Sequence, residues 1–284
     1  MSENSPSKTP RIKDWLASAD SALKNGGITT SRLDSELILS KILKRDRTFF
    51  HAHPDTLLSN SDRQQADSMI NKRLDYVPIA YLIGTKDFYG REFIVNPNVL
   101  IPRPESEEII SSVLDIINNN YRTPINIIDV GTGSGCLGIT IKLEAPQTNV
   151  TLSDISESAL SVAKDNANNL GADVDFVVND LLFGFSNSFD LIVANLPYVS
   201  KNWPSSPSIK HEPDLALFAN NDGLELINIL LNQSQKALKA SGFIVLEADP
   251  CQHPAIIEYA KNLNLQFIQQ IDYVVCFRQQ PDSH

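Results

Sequence analysis

A chain of 284 residues has room for one large domain, or for an ordinary domain with a small companion. Its 42% hydrophobic and 20% charged residues are the balance of a globular protein with a packed core, and no apolar run approaches the roughly 18–20 residues that cross a bilayer. The net charge of −10 argues against a nucleic-acid-binding face, which is usually basic because neutralised phosphates supply much of the affinity.

The opening stretch, "MSENSPSKTPRIKDW", is polar and has no apolar segment of the kind found in secretory signals, so residues 1 to about 10 read as disordered. The apolar residues Ile12, Trp15, Leu16, Ala19 and Leu23 then recur at helical spacing, and Asn25-Gly26-Gly27 supplies a stop. Ser31 to Leu43 repeats the pattern through Leu33, Leu37, Ile38 and Ile42, and Ser61 to Leu74 gives a third helix. These predict a small helical domain over residues 1–75. The densest basic cluster, Lys41, Lys44, Arg45 and Arg47, falls near a helix end and reads as a solvated terminus as well as it reads as a phosphate contact. His51 and His53 have no Cys or carboxylate set beside them, so no metal site is expected there.

"IAYLIGTKDFYGREFIVNPNVLIP" is rich in aromatic and β-branched residues, with Gly84 and Gly90 marking turns, and reads as a β-hairpin linker over 76–104. The segment "RPESEEIISSVLDIINNN" follows as a helix opened by acidic residues. From Ile125 strands and helices alternate: strand 125–130, helix 136–144, strand 150–153, helix 158–169, strands 174–178 and 189–194, helix 224–240 and strand 242–247. Two further strands fit "LQFIQQIDYVVCFRQQ". This alternation predicts an α/β domain over 105–284, a mostly parallel, doubly wound sheet covered on both faces. Cys136, Cys251 and Cys276 are odd in number and widely spaced, which fits neither a disulfide framework nor a zinc site and suggests a reduced, cytoplasmic location.

Two stretches carry chemistry. In "IIDVGTGSGCLG" the glycines Gly131, Gly133 and Gly135, with Thr132 and Ser134 between them, stand where the first strand of the alternating region meets its helix, and glycine there lets backbone amides approach a ligand closely. The dinucleotide fingerprint would put its third glycine where Cys136 stands. Asp129, two residues before the first glycine, repels a pyrophosphate but suits the cationic amino group of a methionine moiety. That favours S-adenosylmethionine over a nicotinamide cofactor. Asp154 ends the next strand at about the 20-residue offset at which a carboxylate meets ribose hydroxyls. Asp180 is set to meet an adenine amino group, with Leu181 as a pocket wall.

The second stretch is "FDLIVANLPY". Its strand breaks into Asn195-Leu196-Pro197-Tyr198, and proline holds the preceding residue extended, so the chain leaves the sheet in a stiff turn. The Asn195 side-chain oxygen and the Leu196 carbonyl can both accept hydrogen bonds from one –NH₂ group, while Tyr198 offers a flat face for stacking. Such a grip suits a planar, weakly nucleophilic nitrogen: a carboxamide or an aromatic exocyclic amine.

On these motifs the chain resembles the HemK/PrmC family of protein-(glutamine N5) methyltransferases. The resemblance extends to "DSELIL" at 34–39, "PIAYLIGTKDFYGREFIVNPNVLIPRPESE" at 78–107, "SDISESAL" at 153–160, "HEPDLAL" at 211–217 and "LEADPCQ" at 246–252. It implies a class I, Rossmann-like methyltransferase domain behind an N-terminal helical domain that binds the protein substrate. It also implies methylation of the glutamine in the Gly-Gly-Gln loop of class-1 peptide chain release factors, with S-adenosyl-L-methionine as donor; from the composition, neither a membrane nor direct nucleic-acid binding is expected. By motif matching, Gly131 to Gly135, Asp154 and Asn195 belong at the cofactor, Asn195 to Tyr198 at the glutamine amide, and Arg103 and Glu105 on a loop over the cofactor. Leu196 departs from the family's usual Asn-Pro-Pro-Tyr, and "DYVVCFRQQ" lacks its glycine-arginine ending. The residues leave three alternatives open: a ribosomal-protein glutamine methyltransferase, a nucleic-acid adenine N6-methyltransferase and a binding-only protein with a vestigial pocket.

Overall fold

The computed structural model describes residues 10–200, 202–203 and 206–281, so the expectation for the first nine residues lies outside the described residues. Two compact units, Met1–Gly84 and Thr85–His284, each carry a core of their own.

In the first unit, helices Ile12–Asn25, Ser31–Leu43 and Asn60–Leu74 correspond to the three periodic stretches, and two short helices, Arg47–Ala52 and Ile79–Ile83, join them. The first helix buries Ile12, Trp15, Leu16, Ala19 and Leu23, the face that its spacing predicts. The second departs from expectation: Leu33 is exposed, while Asp34 and Glu36 are buried beside Ile38 and Leu39. Ion pairs explain this, since Arg73 Nε reaches Asp34 Oδ2 at 2.7 Å, and Arg32 and Arg47 reach the two oxygens of Glu36 at 2.6 and 2.7 Å. Two members of the basic cluster are therefore engaged locally, Arg47 with Glu36 and Arg45 over the Phe49 ring. Residues 79–83 form a helical turn rather than the start of the hairpin, and Gly84 ends it with φ +83°.

The second unit opens with the hairpin of β1 (Thr85–Phe88) and β2 (Arg91–Ile94). Its two-residue turn, Tyr89-Gly90, has φ of 50° and 71°, the paired positive angles that match the twist of a tight hairpin. A seven-stranded sheet follows, made of β3 (Asn126–Val130), β4 (Asn149–Asp154), β5 (Asp175–Val178), β6 (Phe189–Ala194), β7 (Leu238–Glu247), β8 (Leu265–Ile271) and β9 (Val274–Gln279). The strand order is β5-β4-β3-β6-β7-β9-β8. The first five are parallel, β9 runs antiparallel to β7, and β8 pairs antiparallel with β9.

Alternate residues of each strand feed two cores. Ile127, Leu191, Val193 and Val245 pack under helices Glu107–Asn120 and Cys136–Glu144, while Ile128, Ile192, Ile244 and Phe277 pack under Glu225–Ala237 and His253–Lys261. The helix read as 224–240 stops at Ala237, and β7 begins at Leu238, where Leu238 pairs with Phe189. Residues 238–240 take part in the sheet because the backbone before β6 already bonds there: Asn187 N–H to Lys236 O and Ser188 N–H to Ala237 O. Ser241 then turns with φ +64° before the apolar run.

Candidate active site

Strand order reverses beside β3, whose neighbours are β4 on one side and β6 on the other. Ligands in such sheets bind beyond the strands' carboxyl ends at that point. Register brings the critical ends level: Val130 pairs with both Ser153 and Ala194, and Asp154 with Val178. Gly131, Asp154, Asn179 and Asn195 therefore emerge along one edge.

They line a cavity whose empty space, open mouth included, is about 1180 Å³. Of the residues expected from the sequence, Gly131, Thr132, Gly133, Ser134, Asp154, Asp180, Leu181, Asn195, Leu196, Pro197 and Arg103 stand on its wall. Asp129, Gly135, Glu105 and Tyr198 do not. Asp129 is buried beneath the glycine loop, where Oδ2 accepts from Thr132 Oγ at 2.6 Å and from Gly138 N–H at 2.9 Å. Burial pushes its carboxyl up to about 6, with those hydrogen bonds opposing and the nearby Asp154 adding to the rise. Its Oδ1 is buried without a partner. Gly135 caps the following helix with φ +81°, and Glu105 is exposed on the turn Pro104–Ser106.

The loop is held open from several sides. Gly131 and Thr132 N–H groups both donate to Ser153 O, and the buried Asn166 side chain donates to Ser134 O. Asp154 Oδ2 accepts from Gly133 N–H at 3.0 Å and Oδ1 from Ser156 N–H at 2.9 Å. A Cβ on Gly133 would meet nothing within 4 Å, whereas on Gly131 it would lie 2.9 Å from Leu196 Cδ2. Leu196, the residue that departs from the usual tetrapeptide, is buried, and its side chain packs against the glycine loop. An orphaned acceptor at Asp129, a glycine cradle and a carboxylate at the end of β4 fit a ligand with a cationic amino group and a ribose, as S-adenosylmethionine has.

Asn195 Nδ2 donates to Ser106 Oγ at 2.9 Å, Ser106 Oγ donates to Glu247 Oε2 at 2.6 Å, and Tyr198 OH donates to Glu247 Oε1 at 2.9 Å. The Tyr198 ring packs against the core under Glu225–Ala237, and burial beside Glu247 raises its hydroxyl pKa far above the ordinary range. Arg103 Nη2 pairs with Glu212 Oε1 at 2.5 Å, and Glu212 Oε2 also accepts from Ile101 N–H at 3.2 Å.

Sequence reasoning gave no role to Ser106, Glu212 or Glu247, although each lies inside a motif quoted above. It also passed over Ile155, which lines the cavity while 56% exposed, and Asn179, whose side chain donates to Leu181 O and Phe183 O. An apolar residue directly after a strand-ending aspartate was the available signal for Ile155. Among the described residues no cluster of His, Cys, Asp and Glu could hold a metal, and no helix is long and apolar enough to cross a membrane.

Sheet order, glycine loop and strand-end acids together define a class I, Rossmann-like methyltransferase. Solved structures agree on the fold: a methyltransferase from Pyrococcus furiosus superposes with TM-score 0.51 at 17% identity, over 77% of this chain and 98% of that one. A T. thermophilus 16S rRNA N2 G1207 methyltransferase, solved with AdoMet and guanosine, superposes with TM-score 0.51 at 15% identity, over 69% and 50%. Residues 14–84 match the PrmC N-terminal domain and 111–212 the methyltransferase small domain. Among curated proteins, the release factor glutamine methyltransferase of Deinococcus radiodurans is 34% identical over 87% of this chain and 88% of its own. Those of Koribacter versatilis and Enterococcus faecalis are 38% and 39% identical, over 81% and 75% of this chain and 86% and 77% of theirs. The chain belongs to the release factor glutamine methyltransferase family.

Proposed function

We propose that this enzyme transfers a methyl group from S-adenosyl-L-methionine to the side-chain N5 of the glutamine in the Gly-Gly-Gln loop of class-1 peptide chain release factors, substrates met in the cytoplasm. The observation that carries the reading is the state of Asn195. Its Nδ2 is committed to Ser106, while among the described residues Oδ1 and the Leu196 carbonyl accept no hydrogen bond. Two adjacent acceptors on the cavity wall suit one –NH₂ group and offer nothing to a carboxylate.

The bound donor supplies an electrophilic methyl on a sulfonium centre. The glycine loop and Asp154 hold it, with Asp129 supporting the loop from beneath through Thr132 and Gly138; Ile155 and Leu181 supply apolar walls. Asn195 and Leu196 accept both N–H bonds of the target amide, which holds the nitrogen in place and favours lone-pair density towards the methyl group. An amide lone pair is delocalised, as the rotation barrier of about 18–20 kcal/mol shows, so orientation matters more than a strong base, and such orientation can supply about 7–11 kcal/mol. The new N–C bond forms as the methyl–sulfur bond breaks with its electron pair left on sulfur, and the nitrogen then gives up one proton to water.

The test is transfer of labelled methyl to a purified class-1 release factor beside its Gln→Ala loop variant. Label in the first and none in the second is the expected result. Absence of label in both would overturn the substrate and direct the assay to ribosomal proteins and then RNA.

A further inference from the structure

Resting on the amide-methylating reading above, the geometry points to Glu247 and Ser106 as positioning residues that fix the polarity of the Asn195 side chain, so that the cavity presents an acceptor and never a donor to the target group.

An asparagine side chain is nearly symmetric in shape but opposite in chemistry at its two ends, and a half-turn exchanges C=O for NH₂. A neighbouring hydroxyl cannot choose between them, because it can donate or accept. An ionised carboxylate can only accept. Glu247 is 2% exposed and ends β7, two strands away from β3; Ser106 is 2% exposed and sits just before helix Glu107–Asn120. With Oε2 accepting at 2.6 Å, the Ser106 proton points at Glu247, and what remains on Oγ facing Asn195 is a lone pair. That lone pair takes the Nδ2 hydrogen at 2.9 Å. Tyr198 donates its O–H to the other carboxylate oxygen at 2.9 Å, so no donor remains there to reverse the chain. Burial pushes the Glu247 carboxyl above its ordinary range, and the hydrogen bonds from Ser106 and Tyr198 oppose that rise and favour the carboxylate; in that form it sets the direction of the hydrogen bonds from Ser106 and Asn195. Residues so far apart in the chain are linked by this relay to one chemical decision: glutamine rather than glutamate.

The discriminating variant is Glu247→Gln, which keeps shape and can donate through its own amide. Ser106 is then free to turn its proton to Asn195 and let the side chain flip. We expect kcat on the release factor to fall about 10²-fold, the scale at which small misplacements of reacting groups are felt. The affinity for S-adenosylmethionine and the KM for release factor stay within about twofold. Ser106→Ala should lose a similar factor, and Ser106→Thr, which restores a hydroxyl, should recover most of it. The Asn195 side-chain amide protons, followed by NMR, should exchange with solvent faster in Ser106→Ala than in the parent enzyme, a readout that needs no substrate.

Parent-like kcat in either Glu247→Gln or Ser106→Ala would overturn the inference. So would a fall in kcat matched by an equal fall in cofactor affinity, since that is what a merely structural role gives. If Glu247→Gln does not fold, the Ser106 pair and the exchange rates decide the matter. Absence of transfer by the parent enzyme itself would instead overturn the substrate reading, and the amide-exchange comparison would still decide the polarity relay.

Discussion

Asp129 shows how one residue can serve the site without standing in it. Its carboxylate is completely buried, and its ionised form is tolerated in the fold only with help from Thr132 and Gly138. Because burial raises its folded pKa to about 6 from an ordinary 3.8, the sign of its contribution follows. Stability is fully present below the ordinary value and is lost as pH rises through about 6. A rise of that size is equivalent to about 3 kcal/mol. Asp129→Asn does not titrate and keeps an oxygen for both donors. Urea unfolding without the methyl donor, at pH 4 and pH 7, should therefore show the variant gaining on the parent by roughly that amount at the higher pH. An unchanged difference would mean that the carboxyl is ionised at little cost. Asn195 makes the complementary case, a residue whose worth lies in what it leaves free. Asn195→Ala should lower turnover by about 10²–10³-fold, the usual loss on removing one preorganised hydrogen-bonding group, with the affinity for S-adenosylmethionine largely kept. Turnover at the parent rate would sink the proposed mechanism.

Elements hold these residues in register, and the turn after β6 is held from two sides. Gln252 Nε2 donates to the carbonyls of both Tyr198 and Asp222, and Gly223 packs against the same Tyr198 carbonyl. A Cβ on Gly223 would lie 1.9 Å from that oxygen, at φ +87°, so Gly223→Ala must displace the turn. The expected result is a fall in kcat of about 10²-fold or more with cofactor affinity retained, measured by steady-state kinetics and calorimetry. An unaltered kcat would show that the turn tolerates the shift. Nothing about Gly223 announces this in the sequence. The glycine loop and the strand-end residues Asp154 and Asn195 were legible because a parallel sheet places all its carboxyl ends on one edge, so position within a local pattern carries the geometry. The Ser106–Glu247 hydrogen bond spans 141 residues, and no local pattern encodes a partner at that distance. The start of β7 was misread for a similar reason. Residues 238–240 continue a helical pattern locally, and only their pairing with the strand at Phe189 draws them into the sheet.

At the scale of the whole molecule, the cavity and the helical unit are separate matters. Every residue lining the cavity lies between Asn98 and Leu226, within the unit that starts at Thr85. The helical unit has its own core around Ile12, Leu23, Ile38, Leu39 and Phe50, and it corresponds to the stretch matching the PrmC N-terminal domain. Its hairpin neighbour belongs to the other side of the division, since Asn166 accepts from Ile94 N–H and donates to both Ile94 O and Ser134 O, joining β2 to the cofactor loop. A chain beginning at Thr85 should therefore keep the hairpin, the loop and the cavity, and bind S-adenosylmethionine within a few-fold of the parent affinity. Assigning the helical unit to substrate docking, as the family resemblance implies, makes a different demand on the same fragment. A second docking surface raises the effective concentration of the target loop, and its removal should lower kcat/KM on the release factor by about 10²–10⁴-fold. Calorimetry with the methyl donor and transfer kinetics with the release factor separate the two effects. Cofactor binding with poor transfer supports a division of labour between the units, whereas parent-like kcat/KM would leave the helical unit without a part in recognising the substrate.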